Sequence, residues 1–306
     1  MIKTAARLLI NDRRKILYVL FSKLNEGGLL HWLSDTAFLK LNYWLIFGRK
    51  LNLNTPRSFS EKLQWLKLYD RRKEYVTMVD KIAVKEFVAK RIGPEFIIPT
   101  LGVWDRPDDI DWETLPNQFV LKWNHDSGSI VICKDKQTFN REEAINKLRY
   151  GEKVNGFWYG REWPYKNVKP QILAEKYMED ESGELKDYKW FCFDGNAKCL
   201  FIASDRQKKN VDTKFDFFDT NFVHLPFTNG HPNSNEEIIK PKSFDQMKVL
   251  AEKLSQGYPH VRVDFYDIKG HLYFGEYTFY HWSGLMPFEP EEWDYTFGSW
   301  LHLPSK

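Results

Sequence analysis

Apolar and polar positions alternate most clearly in VRVDFYDIKGHLYFGEYTF, residues 261–279. Strand side chains point to opposite faces in turn, so this stretch predicts two strands joined by a turn at Asp267-Ile268-Lys269-Gly270. Val261, Val263 and Phe265 fall on one face, Arg262 and Asp264 on the other. On the return strand Phe274, Glu276 and Thr278 are expected to share a face. Charged residues inside an otherwise aromatic and β-branched hairpin are the feature that needs a reason.

Helical periods dominate the first third. Residues 1–75 read as basic, aromatic-rich helices, with ILYVLFSKLNEGGLLHWL and AFLKLNYWLIFGRKLNL as examples. Packing against the main body is the plainer reading of their apolar faces; a membrane-surface patch is the functional one. Ser58 with Glu61 three residues on forms a capping-box pattern before EKLQWLKLYD. VDKIAVKEFVAKRIG (79–93) predicts an amphipathic helix closed by Gly93 and Pro94. The centre is β-rich. LGVW, residues 118–135 around a polar loop, and QILAEKYM (171–178) read as strands, with a helix over 141–155. DYKWFCFDGNAKCLFIASDR reads as a hairpin turning at Asp194-Gly195-Asn196. SFDQMKVLAEKLSQG (243–257) is a helix, and 225–237 and 284–294 look like loops. The pattern is α+β with antiparallel sheets.

Composition narrows this only a little. The 306 residues allow a large core or two to three modules. Aromatics at 16% favour clefts with broad flat walls. A net charge of +3, from 45 basic and 42 acidic residues, gives no case for nucleic acid. Cys133, Cys192 and Cys199 show neither a disulfide framework nor zinc-ligand spacing, and read as reduced, buried thiols. No apolar run reaches the roughly 20 residues of a membrane span, and charges break up the N-terminal apolar stretch, so it makes a poor signal peptide.

Several residues carry possible chemistry. Lys122 lies inside a strand, which suits either a solvated edge or an anion ligand. After it, Asn124-His125-Asp126-Ser127-Gly128-Ser129 offers small side chains and backbone N–H groups that can cover phosphate oxygens, although no Walker sequence follows. A plain turn fits the same residues. Glu175 ends one apolar strand and Asp187 begins another. Asp264 and Glu276 on neighbouring strands would repel each other when buried, unless a divalent cation or Arg262 lies between them. A solvated lattice of ion pairs is the alternative.

The order of these residues resembles the ATP-grasp superfamily. It is closer still to its TupA-like branch, named for teichuronopeptide biosynthesis, through FSEKLQWLKLYDR, DKIAVKEFV, FVLKWNHDSGS, YGREWPYKNVKPQILAEKY, ELKDYKWFCFDG, LSQGYPHVRVDFY and YFGEYTF. These phrases cover roughly residues 50–300. The resemblance implies an α+β ATP-grasp fold. A helical N-terminal segment (1–75) would precede a central lid (76–180) and a larger C-terminal domain (181–306) bearing the metal site. It implies ATP and Mg²⁺ as cofactors. Lys81 and Lys122 would contact phosphates under a Ser127-Gly128-Ser129 loop. Glu175, Lys176, Tyr177 and Met178 would form the adenine hinge, and Asp187 would approach the ribose. Asp264, Glu276 and Thr278 would hold the metal, with Arg262 and Lys122 as the catalytic pair.

By the same resemblance the activity is a carboxylate–amine ligase. It would join a sugar carboxylate of a bacterial surface polysaccharide (capsule or O-antigen), free or lipid-linked, to an amino acid or amine through an acyl phosphate. The expected location is the cytoplasm or the inner face of the membrane, and the partners do not include nucleic acid. Alternatives are a glycosyltransferase of polysaccharide biosynthesis and a nucleotide-binding protein with lapsed catalysis. Three departures from the family bear on activity. Thr278 stands where most ATP-grasp enzymes have Asn, a change the family shares. Asp126 replaces a glycine of the loop, and Tyr280-His281-Trp282 replaces Thr-Pro-Gly.

Overall fold

The computed structural model describes residues 13–126, 128–180, 185–206 and 211–305. Ser127 therefore lies outside the described residues, as does the N-terminal end of the 1–75 segment. That segment is helical where described: α1 (Arg13–Glu26), α2 (Asp35–Phe47) and α3 (Phe59–Tyr69). Ser58 and Glu61 form the expected capping box at the start of α3. The helix expected over 79–93 is α5 (Ala83–Ile92), closed by Gly93 as expected but starting later, with the short α4 (Glu74–Val79) before it. The break lies at Asp80, whose carboxylate accepts from the Ile82 and Ala83 N–H groups at 2.8 and 3.3 Å. It starts α5 afresh and leaves Lys81 in the break.

A four-stranded antiparallel sheet follows, built from β1 (Thr100–Trp104), β2 (Phe119–Trp123), β3 (Val131–Cys133) and β4 (Ile172–Lys176) in the order β1-β4-β2-β3. Between β3 and β4 run α6 (Arg141–Glu152) and the short α7 (Gly156–Gly160). Phe119, Leu121, Ile172 and Ala174 pack with Ala144 and Leu148 of α6 in a core of their own. The opposite face carries Lys122 and Glu175.

The larger sheet has the order β10-β9-β5-β6-β7. Its strands are β5 (Asp187–Phe193), β6 (Asn196–Ser204), β7 (Lys214–Asp219), β9 (His260–Ile268) and β10 (His271–Thr278). The expected loops at 225–237 and 284–294 contain a small strand pair, β8 (Thr228–Asn229) with β11 (Phe288–Glu289), and the start of α9 (Glu292–Trp300). Helix α8 (Phe244–Ser255) covers one face of the sheet, with the Trp190 and Phe244 rings 5.0 Å apart.

The hairpin of β9 and β10 corrects two expectations. Ile268 pairs with His271, so the turn is the two residues Lys269 and Gly270, both at positive φ. The second correction concerns facing. The register shifts between Phe274 and Glu276, a β-bulge at Gly275. Phe274 pairs with Phe265 on the core side, whereas Glu276 pairs with Asp264 on the other. Phe274 and Glu276 do not share a face.

Helix α3 ties the N-terminal helices to this sheet. Phe59 is 1% exposed and lies within ring contact of Phe191, Phe193, His260, Phe288 and Phe297. Phe59→Ala should cost about 3–5 kcal/mol of stability. Urea unfolding measures this, and a loss under about 1 kcal/mol would show that α3 is not a wall of the core.

Candidate functional site

Cross-strand pairing decides which charges meet. Lys189 on β5 pairs with Asp264 on β9, which pairs with Glu276 on β10, so the three side chains form one row. The next row is Phe191, Arg262 and Thr278. Asp264 is fully buried. Its carboxylate accepts from Arg262 Nε and Nη2, each at 2.8 Å, and pairs with the Lys189 ammonium. Lys189 also lies 3.1 Å from Asp187 and 4.0 Å from Glu276. Arg206 pairs with the other Asp187 oxygen. Arg262 Nη2 donates to Thr278 Oγ1 at 2.8 Å, so this hydroxyl is engaged by the arginine.

The other face of the site comes from the four-stranded sheet and the α4–α5 break. Glu175 is clamped between Lys122 at 2.5 Å and Lys85 at 2.6 Å. Burial raises its pKa, but the two ammonium groups outweigh that and lower it below the usual carboxylate value. The Glu175 side chain therefore points at lysines, and only the backbone beyond it is open to a hinge role. The Lys176 N–H donates to Pro99 O at 3.1 Å; Tyr177 and Met178 follow, half-buried.

Lys81 donates to Asp126 O at 2.7 Å, which fixes it under the small-residue loop. Asp126 does not point away from that loop. Its carboxylate accepts from the Gly128 N–H and, at 3.1 Å, from the Ser129 N–H. It thus takes up the backbone donors that a phosphate would need.

The two groups communicate through Glu276. This carboxylate is half-open, with Arg262 at 3.6 Å. Burial works to raise its pKa, yet Lys189, Lys81, Arg262 and Lys122 together bring it down to about 2. Magnesium takes one or two carboxylates and completes its shell with phosphate and water oxygens. The half-open Glu276 fits that pattern; Asp264 could join it only by sharing oxygens that Arg262 and Lys189 already hold. Among the described residues no group of three or more His, Cys, Asp or Glu is placed to hold a cation.

Lys189, Lys85 and Arg206 belong to the site but were not picked out from the sequence. Lys189 had a readable signal, since it sits inside a strand two residues from Asp187. Lys85 lies in the first turn of α5, just beyond the break that holds Lys81.

The segment that departs from the family has a structural task. His281 Nδ1 accepts from Arg262 Nη1 at 2.7 Å, and His281 Nε2 donates to Asn229 Oδ1 at 2.8 Å. Asn229 Nδ2 donates to Met286 O and Pro287 O, which fixes the amide and requires the His281 proton on Nε2. Trp282 and Ser283 both have left-handed φ, 49° and 57°. Gln64 and Lys67 of α3 hold this strained turn by donating to Ser283 O at 3.0 and 2.7 Å. Tyr280 is buried, whereas Trp282 lies half-open beside Phe215. Among nearby aromatics, Tyr159 and Tyr165 line a cavity with His125, Asp126 and Gly128; Trp163 is buried and Trp158 stacks on His31.

Burial, reinforced by Arg262, His260 and Lys189, holds His281 well below its usual pKa. Burial also lowers His260 to about 3. Both stay neutral in the fold, but an unfolded histidine takes up a proton below about pH 6.5. The unfolded chain then binds more protons, so stability is full above that pH and falls on acidification. Each histidine should cost about 1.4 kcal/mol at pH 5.5 relative to neutral pH. Urea unfolding at pH 7.5 and 5.5 measures the total, and His281→Gln should reduce the loss by about 1.4 kcal/mol. An unchanged loss would mean that His281 protonates in the fold.

Residues 61–302 match the TupA-like ATPgrasp family. Among curated proteins none matches the chain. Among solved structures, D-alanine–D-alanine ligase from Bacillus anthracis complexed with ATP aligns at 13% identity and TM-score 0.38, over 66% of this chain and 53% of that one. This chain thus spans about half the length of that enzyme. The Helicobacter pylori D-alanine–D-alanine ligase aligns at 17% identity and TM-score 0.42, over 79% of this chain and 69% of that one. A RimK domain ATP-grasp protein from Sphaerobacter thermophilus gives 11% and 0.42, over 76% and 70%. With 61–302 spanning most of its length, the chain belongs to the TupA-like ATP-grasp family.

Proposed function

We propose that this chain is an ATP- and Mg²⁺-dependent carboxylate–amine ligase whose nucleotide binds between a lid (76–180) and the C-terminal domain (181–306). The observation that carries the reading is the row Lys189, Asp264 and Glu276, with Arg262 beside it and Lys81 and Lys122 close enough to depress Glu276. Such an arrangement suits phosphoryl transfer, where catalysis is mostly positioning and charge stabilisation. Lys81 and Lys122 would hold the phosphates under the 127–129 loop, Tyr177 and Met178 the adenine, and Asp187 the ribose. Asp264 and Glu276, with Thr278 beside them, would hold the metal, which when bound offsets phosphate charge. A substrate carboxylate attacks the γ-phosphorus, the bond to the β-phosphate oxygen breaks, and ADP leaves. Arg262, kept in place by Asp264 and His281, lies against the transferred group. An amine then displaces phosphate from the acyl phosphate. A uronic acid of a bacterial surface polysaccharide is the proposed carboxylate, and family membership supports that substrate class.

The test is thermal unfolding with ATP and Mg²⁺. At a hundred times its Kd, a ligand stabilises by about 2.7 kcal/mol. Glu276→Ala, at a half-open position, should keep the fold and lose the Mg²⁺-dependent part of that protection. Asp264→Ala should lose it too, with lower stability because the buried Lys189 and Arg262 lose the carboxylate they share. Asp126→Ala frees two loop N–H groups and should tighten ATP binding. Unchanged protection in Glu276→Ala would refute the metal assignment. Turnover of a nucleotide sugar without ADP release from ATP would favour a glycosyltransferase, and ATP protection with no product from any acceptor would favour lapsed catalysis.

We also propose peripheral contact with anionic lipid at α1 and α2, which would suit a lipid-linked acceptor. Leu17, Leu20, Leu29 and Trp32 are exposed there, Trp32 at 79%, beside exposed Arg13, Lys15, Lys23 and Lys40. No helix among the described residues is long and apolar enough to cross a membrane. The protein should sediment with phosphatidylglycerol vesicles and less with phosphatidylcholine. Equal absence from both pellets would dismiss this contact.

A further inference from the structure

A cavity of about 600 Å³ opens beside the small-residue loop. Asp126, Lys147, Tyr150, Tyr159, Glu162 and Tyr165 are among its lining residues. Their chemistry is uneven. The Asp126 carboxylate is turned into its own loop, on the Gly128 and Ser129 N–H groups. The Lys147 ammonium donates to Ile130 O at 2.6 Å. Glu162 is the charged lining group that faces neither a loop amide nor a direct ion-pair partner. Its hydrogen-bond partner is the Ser283 hydroxyl, with Lys67 and Arg262 acting on it through charge.

Behind Glu162 the structure is built to close tolerance. Lys67 is fully buried and donates to Gln64 Oε1 at 2.9 Å, to Ser283 O at 2.7 Å and to Ser283 Oγ at 2.8 Å. Ser283 Oγ therefore sits between Lys67 and Glu162. A side chain at Gly160 would collide with it, because a Cβ there would lie 1.9 Å from Ser283 Oγ. The strained left-handed pair Trp282 and Ser283 sets the hydroxyl in that place.

We propose that this cavity is the subsite for the acceptor amine, and that Glu162 binds its ammonium group and takes a proton from it. The proposal rests on the ligase reading and names one substrate of that site. Among the described lining residues the one ammonium, Lys147, is drawn to Ile130 O, whereas an alkylammonium finds the Glu162 carboxylate and three tyrosine rings, whose faces attract cations. The location also suits the chemistry, since the Glu162 side chain feels the charge of Arg262, which lies against the transferred phosphoryl group.

In the step itself, one N–H bond of the ammonium breaks and its proton goes to a Glu162 oxygen. The free amine attacks the acyl carbon, and the bond from that carbon to the phosphate oxygen breaks. The second nitrogen proton leaves with the phosphate, so hydrogen phosphate and the neutral amide result. Burial raises the Glu162 pKa against the opposing effects of Lys67, Ser283 and Arg262, which favours proton uptake. Burial likewise pushes Lys67 down to about 7, with Glu162 opposing.

Two measurements test this. The first reads binding alone, by saturation-transfer NMR with ethanolamine, the common amino acids and their N-acetyl forms. At least one free ammonium should bind and its N-acetyl form should not, and Glu162→Gln should weaken that binding by about tenfold or more. Binding of the N-acetyl form equal to that of the amine, absence of binding by any amine, or binding untouched in the variant would overturn the proposal. Glu162→Gln keeps an oxygen to accept from Ser283, and its melting temperature and ATP protection check that the fold and nucleotide site survive.

The second compares nucleophiles during turnover with a uronic acid, ATP and Mg²⁺. Hydroxylamine is uncharged at neutral pH and needs no base to free its lone pair. Glu162→Gln should retain hydroxamate formation from hydroxylamine while losing amide formation from the alkylammonium by about a hundredfold. An equal fall for both nucleophiles would assign Glu162 a structural role and sink the proposal. Absence of hydroxamate in the unmodified protein would count against the ligase reading, while the binding measurement would still decide the subsite.

Discussion

An ionised group inside a protein must have a partner, because removing it from water costs several kcal/mol. This constraint organises the site. Asp264 is fully buried on β9, between β10 and β5 of the larger sheet, and both of its oxygens are met by Arg262 and Lys189. Arg262 in turn is aimed by His281, which Asn229 fixes in one tautomer. Each member has more than one partner within the network, so no single side chain can move alone. The network is therefore rigid, and that is a useful property for a surface that has to meet a phosphate without rearranging.

The network depends on two irregularities in the backbone. At Gly275 the bulge lets Phe274 enter the core while Glu276 stays level with Asp264. With regular alternation one of the two would be on the wrong side of the sheet. At Trp282 and Ser283 the left-handed turn carries His281 back over Arg262, and α3 restrains it through Gln64 and Lys67. The N-terminal helices thus reach the site through α3 and the Ser283 hydroxyl. A second face, with Glu175 between Lys122 and Lys85, brings positive charge to the first. The excess of cations around Glu276 is what keeps it ionised at about the strength of a strong carboxylic acid.

Much of this was legible beforehand. The order Lys81, Lys122, Glu175, Asp187, Arg262, Asp264 and Glu276 pointed to the family, and strand periodicity placed Arg262 and Asp264 on the face away from Val261 and Val263. The capping box at Ser58 and the hairpin turn at Asp194-Gly195 also follow from local chemistry, in which few residues do the job. Lys189 went unnoticed because a lysine in a strand has an ordinary explanation until its cross-strand neighbours are known. Asp80 starts α5 as its place before an amphipathic run suggests, but the short α4 that ends at Val79 has no such local signal.

The sequence by itself determined the family, the α+β class and most of the charged residues that line the site, because these depend on residue types, order and period. Only the tertiary structure decided which charges share a row, that Asp126 folds onto its own loop, and that Tyr280-His281-Trp282 supports Arg262. Those outcomes depend on strand register, one bulge and two left-handed residues. Each is set by packing and ion pairing between segments far apart in the chain, where local pattern carries no information.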